Sequence, residues 1–293
     1  MPCYYPVKGF RAVAGGISWT PSVSYVDQEV QVPCGQCIGC RLERARQWSV
    51  RLMHEASLHQ DNCFVTLTYD DEHLPDKGCL RIRDFQLFMK RLRKRYSHRI
   101  SFFHCGEYGE STGRPHYHAI LFGVDWPDRV KYARNDHGDM LFTSNLLEAI
   151  WQNGNAWSGS VTRESCGYVA RYCLKKVTGD RADEHYKRVD PETGEIYWLP
   201  PEYASMSLRP AIGKGWFDKF SGDVVAYDGV VNAGVMQRPP RYYDKLRGRE
   251  VMKSVKRERV YKALEHAADQ TPDRLRVREE VKRAALRSLK RNL

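Results

Sequence analysis

Apolar and polar positions lay out a series of elements along the middle of the chain. Over about 41–59, Leu42, Ala45, Leu52 and Ala56 share one face, with Arg and Glu around them; this spacing predicts a helix. Cys63-Phe64-Val65-Thr66-Leu67-Thr68-Tyr69 is rich in β-formers and stops at Asp70-Asp71, so it predicts a strand. A second helix follows over about 83–96. Its apolar stripe is Phe85, Phe88, Met89, Leu92 and Tyr96, and Lys90, Arg91, Arg93, Lys94 and Arg95 fill the remainder. The stripe suits a core, and the basic face suits either solvent or phosphates. Ile100–Cys105 and His116–Phe122 predict two strands joined by the turn-rich stretch 106–113. Next come a loop over 124–143, a short helix near 145–152, a strand over 156–162 and a helix over about 163–177. The order βαββ followed by αβα points to an α+β sandwich built on an antiparallel sheet.

Outside this region the pattern weakens. Residues 1–33 read as extended and irregular, broken by Gly15-Gly16, Pro21 and Pro33. Residues 180–243 are rich in Gly, Pro and Tyr, and Thr193-Gly194 between two β-prone runs marks a hairpin. The stretches 244–268 and 272–291 read as two basic helices, with Thr271 capping the second and Pro272 at its first position.

Composition narrows the partners. A hydrophobic fraction of 42% over 293 residues supports a sizeable core. No run approaches the ~18 apolar residues of a membrane span, and Met1-Pro2-Cys3-Tyr4-Tyr5 does not open a signal peptide. The expectation is a soluble intracellular protein with no membrane partner. Net charge is +11, and Asp244 to Leu293 alone holds sixteen Lys/Arg against eight Asp/Glu. A basic chain with 12% aromatic residues suits a polyanion such as nucleic acid, because neutralising phosphates releases counterions. The same charge also serves a merely solvated surface. Nine cysteines without an export signal point to reduced thiols, some of them on a metal, rather than a disulfide framework.

Three groups of residues could carry chemistry. His116 and His118 alternate on an apolar strand, so they project from one face about 7 Å apart along the chain. Two imidazoles suit Mn²⁺, Zn²⁺ or another divalent ion, and a carboxylate completes such a site. Glu107 is the candidate, because a 100–107/116–122 hairpin would bring it to His116; Glu110 is the alternative. His54, His59 and His73 read as ordinary surface or core residues. Tyr168 and Tyr172 stand one helical turn apart, with Arg171, Lys175 and Lys176 nearby. A tyrosine with a pKa near ~10 needs nearby cations and a metal on its target to attack at neutral pH. Cys34, Cys37 and Cys40 have the spacing of metal ligands, and Cys3 could complete a structural Zn²⁺ site. An iron–sulfur cluster there would need a further cysteine. Each group also has a plainer reading: His-x-His pairs often bind nothing, paired tyrosines often pack in a core, and thiols are often only buried.

Taken together, the motifs resemble the HUH endonuclease superfamily of rolling-circle replication initiators, relaxases and related transposases. Phe64-Val65-Thr66-Leu67-Thr68-Tyr69 resembles its first motif, His116-Tyr117-His118 its second and Tyr168-Val169-Ala170-Arg171-Tyr172 its third. Tyr117 departs from the bulky hydrophobic residue usual between the histidines. Tyr172-Cys173-Leu174-Lys175 also fits the Tyr-x-x-Lys form of single-tyrosine members. Gly106-Glu107-Tyr108-Gly109 is similar to the segment supplying the acidic ligand in small circular-DNA virus initiators. Pro33-Cys34-Gly35-Gln36-Cys37-Ile38-Gly39-Cys40-Arg41, Ala45-Arg46-Gln47-Trp48 and Pro239-Pro240-Arg241-Tyr242-Tyr243 resemble the initiators of gokushoviruses, small single-stranded DNA phages of the microvirus family.

The resemblance implies an α+β, RRM/ferredoxin-like HUH core over 61–180. An N-terminal extension (1–60) with the cysteine cluster and a helix precedes it. An irregular or β segment (181–243) packed on the core and a basic helical tail (244–293) follow. It implies metal-dependent, origin-specific nicking and rejoining of viral DNA in the host bacterial cytoplasm. Glu107, His116 and His118 would hold Mg²⁺ or Mn²⁺. Tyr168 and Tyr172, aided by Lys175, would form a 5′-phosphotyrosine link. The partners implied are viral origin DNA and a host polymerase, helicase and single-strand-binding protein; no Walker-type phosphate loop occurs in the chain. The alternatives are a non-catalytic zinc-containing nucleic-acid binder and an HUH relaxase or transposase.

Overall fold

The two-residue alternation of three neighbouring strands decides which side chains meet which helices. A computed structural model of the chain describes residues 3–20, 24–109, 112–135, 138–172, 176–177, 179, 181–232 and 234–287, less the side chains of residues 24–27, 172 and 181. In order, the elements are strands β1 (Val7–Ala12), β2 (Ile17–Ser18) and β3 (Ser24–Val32), helix α1 (Ile38–Ala56), strand β4 (Asn62–Thr68), helix α2 (Ile82–Arg95), and strands β5 (Ser101–Tyr108), β6 (Pro115–Phe122), β7 (Val130–Arg134) and β8 (Met140–Thr143). There follow α3 (Asn145–Trp151), β9 (Ala156–Gly159), α4 (Arg163–Tyr172), α5 (Arg181–Tyr186), the pair β10 (Lys187–Val189) and β11 (Ile196–Trp198), β12 (Tyr203–Met206) and α6 (Lys214–Tyr227). The pair β13 (Val230–Asn232) and β14 (Val235–Gln237), then α7 (Arg241–Leu246), α8 (Arg249–Leu264) and α9 (Pro272–Arg287), complete the order. The chain divides into two bodies, one from Ala45 to Leu246 and one joining residues up to Arg44 with those from Arg247.

The first body is an antiparallel sheet of seven strands in the order β12-β5-β6-β4-β9-β8-β7. On one face Cys63, Val65 and Leu67 of β4 and Tyr117, Ala119 and Leu121 of β6 meet α2 and α3. Helix α2 buries Phe85, Phe88, Met89 and Leu92, each worth about 1.5–3 kcal/mol relative to exposure. Its last turn carries Arg93, Lys94 and Arg95, which complement the negative end of the helix. The Ser144 hydroxyl caps α3 by accepting from the Leu147 amide at 3.0 Å. On the opposite face Phe103, Cys105, Ile120 and Phe122 meet Leu52 of α1 and Cys166 and Val169 of α4. This is the α+β architecture expected, with helices on both faces of an antiparallel sheet.

Several local expectations change. The stretch 124–143, expected as a loop, contains β7 and β8. Every residue of β7 is exposed, so the strand shows no inward–outward alternation to read. Strand β5 runs on through Gly106 and Glu107, as the 100–107/116–122 hairpin requires, and takes in Tyr108 from the turn-rich stretch. A Cβ on Gly106 would meet Tyr203, Leu80 and Tyr117 atoms at 2.8–3.2 Å, so glycine here admits the Tyr117 ring rather than marking a turn. In the weakly patterned 180–243 stretch lie α6 and the edge strand β12, held to the sheet by β5. The hairpin at Thr193-Gly194 is present as β10–β11, with Gly194 at φ 70°.

In the second body, β2-β1-β3 form a three-stranded sheet where irregular chain was expected. The Thr271 hydroxyl accepts from the Arg274 amide at 3.4 Å and Pro272 opens α9, as expected from that pair. No helix among the described residues is long and apolar enough to cross a membrane.

Candidate active site

Strand β6 lies between β5 and β4, and its register fixes the site. His116 stands directly opposite Glu107 on β5 and Thr68 on β4, and His118 opposite Cys105 and Thr66. Both imidazoles project to the α1/α4 face, while Tyr117 between them turns to the α2/α3 face. There the Tyr117 hydroxyl meets the Tyr69 hydroxyl at 2.8 Å and the Arg81 carbonyl at 2.8 Å. A polar ring tip is therefore satisfied in a position where a purely apolar residue was expected.

Glu107 is 2% exposed, and its Oε1 lies 2.9 Å from His116 Nε2 and 3.1 Å from His118 Nε2. The far nitrogens are held as well. His116 Nδ1 contacts the Arg114 carbonyl at 3.1 Å, and His118 Nδ1 contacts the Thr66 hydroxyl at 3.0 Å. A carbonyl can only accept, so His116 Nδ1 carries a proton and donates to it, leaving Nε2 facing the Glu107 carboxylate. Thr66 can hold His118 in the same tautomer. The two Nε2 atoms and the Glu107 oxygen converge on a point that a shared proton or a cation can occupy.

Burial works to raise the Glu107 pKa, but the hydrogen bonds and charge of His116 and His118 outweigh it and bring it down to about 2. The three ligand atoms lie within 4.8 Å of one another, and this His₂Glu donor set fits a divalent ion with positions left for other ligands. The ligands read from the motifs, Glu107, His116 and His118, are thus brought together; Glu110 lies outside the described residues.

Helix α4 closes over this face. The Tyr168 hydroxyl lies 3.4 Å from His118 Nε2, and the two rings meet edge to face with centroids 5.1 Å apart. Phe64 stacks on His118 at 5.7 Å and meets Tyr168 edge-on at 6.2 Å. Tyr172 is the last residue of α4, one turn beyond Tyr168. Its side chain, and all of Lys175, lie outside the described residues. The helix expected to reach 177 ends at Tyr172 among the described residues, and Lys176 and Val177 are not helical.

Sequence reasoning missed the supporting roles of Thr66, Arg114 and Phe64. Alternation does place Phe64, Thr66 and Thr68 on one face of β4, but only the β4–β6 register shows that this is the histidine face.

The flanking motifs pack against each other. Gln47 Oε1 accepts from the Arg241 amide at 3.0 Å, and Arg46 Nη1 donates to the Arg238 carbonyl at 3.0 Å. The Arg51 guanidinium lies between the Trp48 and Tyr242 rings, at 4.1 and 4.0 Å, and donates twice to the Ile212 carbonyl.

In the other body, Cys3, Cys34, Cys37 and Cys40 converge, with all four sulfurs within 4.8 Å of one another.

Residues 62–177 match the family model of replication-associated protein ORF2/G2P. The chain is 35% identical over 254 residues to the replication-associated protein VP4 of Bdellovibrio phage phiMH2K, covering 83% of this chain and 76% of that one. It is 32% identical over 232 residues to the replication-associated protein ORF2 of Spiroplasma virus 4, covering 75% and 68%. It is also 33% identical over 155 residues to the replication-associated protein ORF4 of Chlamydia phage 1, covering 50% and 38%. No solved structure matches the chain.

Proposed function

This chain belongs to the family of phage replication-associated proteins and is a viral replication initiator, and from that premise we propose that it nicks and rejoins origin DNA through a tyrosine ester. The observation that carries this reading is the Tyr168 hydroxyl at 3.4 Å from His118 in the Glu107–His116–His118 cluster. A tyrosine serving only as core would have no need of that neighbour.

Glu107, His116 and His118 would hold a divalent ion, Mg²⁺ or Mn²⁺, which would supply positive charge at the scissile phosphate. The chain's own residues do the remainder. Thr66 and the Arg114 carbonyl hold the two rings in orientation. Helix α4 places the Tyr168 oxygen at the cluster. That oxygen forms a bond to phosphorus and loses its proton to solvent. The P–O3′ bond breaks, and the departing oxygen takes up a proton to become a free 3′-OH. The 5′ phosphate stays on the tyrosine, so the broken bond's energy is conserved and the reversal rejoins the strand without ATP. Tyr172, one turn along α4, serves the second transfer, and Lys175 assists. The substrate is a single-stranded nick site in the double-stranded replicative form of a circular genome. A host polymerase extends the 3′ end, with a host helicase and single-strand-binding protein alongside, in the host bacterial cytoplasm.

The test is a denaturing gel after incubation of the protein with a single-stranded origin oligonucleotide and Mn²⁺. A covalent adduct is expected. An adduct of undiminished yield in the Tyr168→Phe/Tyr172→Phe double variant overturns the proposal.

A further inference from the structure

The Glu107 cluster leaves a second convergence of ligating atoms unused, on the other body. Cys3 comes from the N-terminal segment, Cys34 and Cys37 precede α1, and Cys40 stands in its first turn. Cys34 and Cys40 sulfurs lie 4.0 Å apart, as do those of Cys37 and Cys3. A disulfide needs sulfurs at about 2 Å. Tetrahedral Zn–S bonds of about 2.3 Å put sulfur atoms nearly 4 Å apart. Backbone amides already point at the sulfurs: Tyr4 N–H to Cys37 at 3.4 Å, Cys34 N–H to Cys3 at 3.3 Å, and Cys37 N–H to Cys34 at 3.3 Å. Amide donors of this kind are the outer partners that a metal-bound sulfur takes. Gly35, at φ 79°, makes the turn between Cys34 and Cys37 that a side chain would strain.

The residues after Cys3 lead to α9. Tyr4 is buried, and the Glu279 carboxylate beside Tyr5 raises the pKa of its hydroxyl. Glu279 is itself buried on α9 and accepts from Arg283 at 2.7 and 3.0 Å. We propose that Cys3, Cys34, Cys37 and Cys40 bind one zinc ion, and that this ion clamps residues 3–5 in position to receive α9. The ligand set is closed, with no position left for a substrate, so the ion is structural. Holding Cys3 fixes residues 3–5 and so offsets part of the conformational freedom they lose.

The test uses the full chain and needs no DNA. Metal analysis should find about one zinc per chain. Cobalt exchange should give the visible bands and near-UV sulfur charge-transfer absorption of a tetrahedral four-thiolate site. Both should persist in His116→Ala/His118→Ala, which separates this site from the proposed catalytic one. Cys3→Ser should lose the four-thiolate spectrum and expose α9 to limited proteolysis, and Cys3→His should restore zinc with a three-thiolate spectrum. Absence of zinc from the purified chain, or a four-thiolate spectrum that survives Cys3→Ser, overturns the proposal. Unchanged protease resistance of α9 in a zinc-free Cys3→Ser chain overturns the clamp.

Discussion

His118 is held from two sides, by Thr66 at Nδ1 and by Glu107 at Nε2, and this double hold makes its neighbours testable one at a time. Joint change of His116 and His118 to Ala should remove Mn²⁺-dependent adduct formation by at least about 10²-fold, read on the same denaturing gel. Thr66→Val keeps the shape and removes the hydroxyl. It should weaken metal affinity by roughly 10–100-fold, measured by titration of Mn²⁺ against activity. Glu107 gives a pH prediction. Its pKa is depressed from an ordinary 4.5 to about 2, so its contribution is full above about 4.5 and is lost as pH falls towards 2. In EDTA, the urea midpoint should fall over that window by the equivalent of roughly 3 kcal/mol, and Glu107→Gln should flatten the fall. The three ligands were legible because each announces itself by residue type. Thr66 was not, because a strand threonine looks the same whether it faces solvent, a core or an imidazole.

At the scale of elements, strongly periodic segments were legible and weakly periodic ones were not. Helix α2 shows its buried stripe in Phe85, Phe88, Met89 and Leu92, and β6 shows its apolar run. Strand β7 buries nothing, and α6 carries only Phe217 and Val224 fully inward, so neither has a pattern to detect. The gokushovirus-like flanks on α1 and α7 were visible as words without a function; the structure makes them a joint. Arg51 is its centre, half-buried between Trp48 and Tyr242, where burial lowers its pKa to about 10. Arg51→Lys keeps a charge but loses the flat stacking surface and the two-pronged bond to the Ile212 carbonyl. It should cost about 1–3 kcal/mol of stability, measured by denaturant unfolding followed through tryptophan fluorescence.

For the whole molecule, the excess charge of the last fifty residues was plain in composition, but the partners of α8 and α9 within the fold were not. Residues far apart in sequence share no local signal that they will meet. Lys256, Arg257 and Lys262 on α8 are exposed. Their joint replacement by Gln should reduce the slope of log affinity for duplex DNA against log salt by about 2 to 3 if each meets a phosphate, measured by fluorescence anisotropy. An unchanged slope would remove α8 from the DNA-contacting surface. The body that joins residues up to Arg44 with those from Arg247 also imposes an order on synthesis. Its first segment leaves the ribosome before the sheet of seven strands and its second after it. The sheet can therefore fold while the other body is still half made. All four clustered cysteines lie within the first forty residues, so they can gather early and keep the leading segment in shape until α9 emerges. A chain released before Arg247 would retain Glu107, His116, His118 and Tyr168 together but never finish the body in which it began.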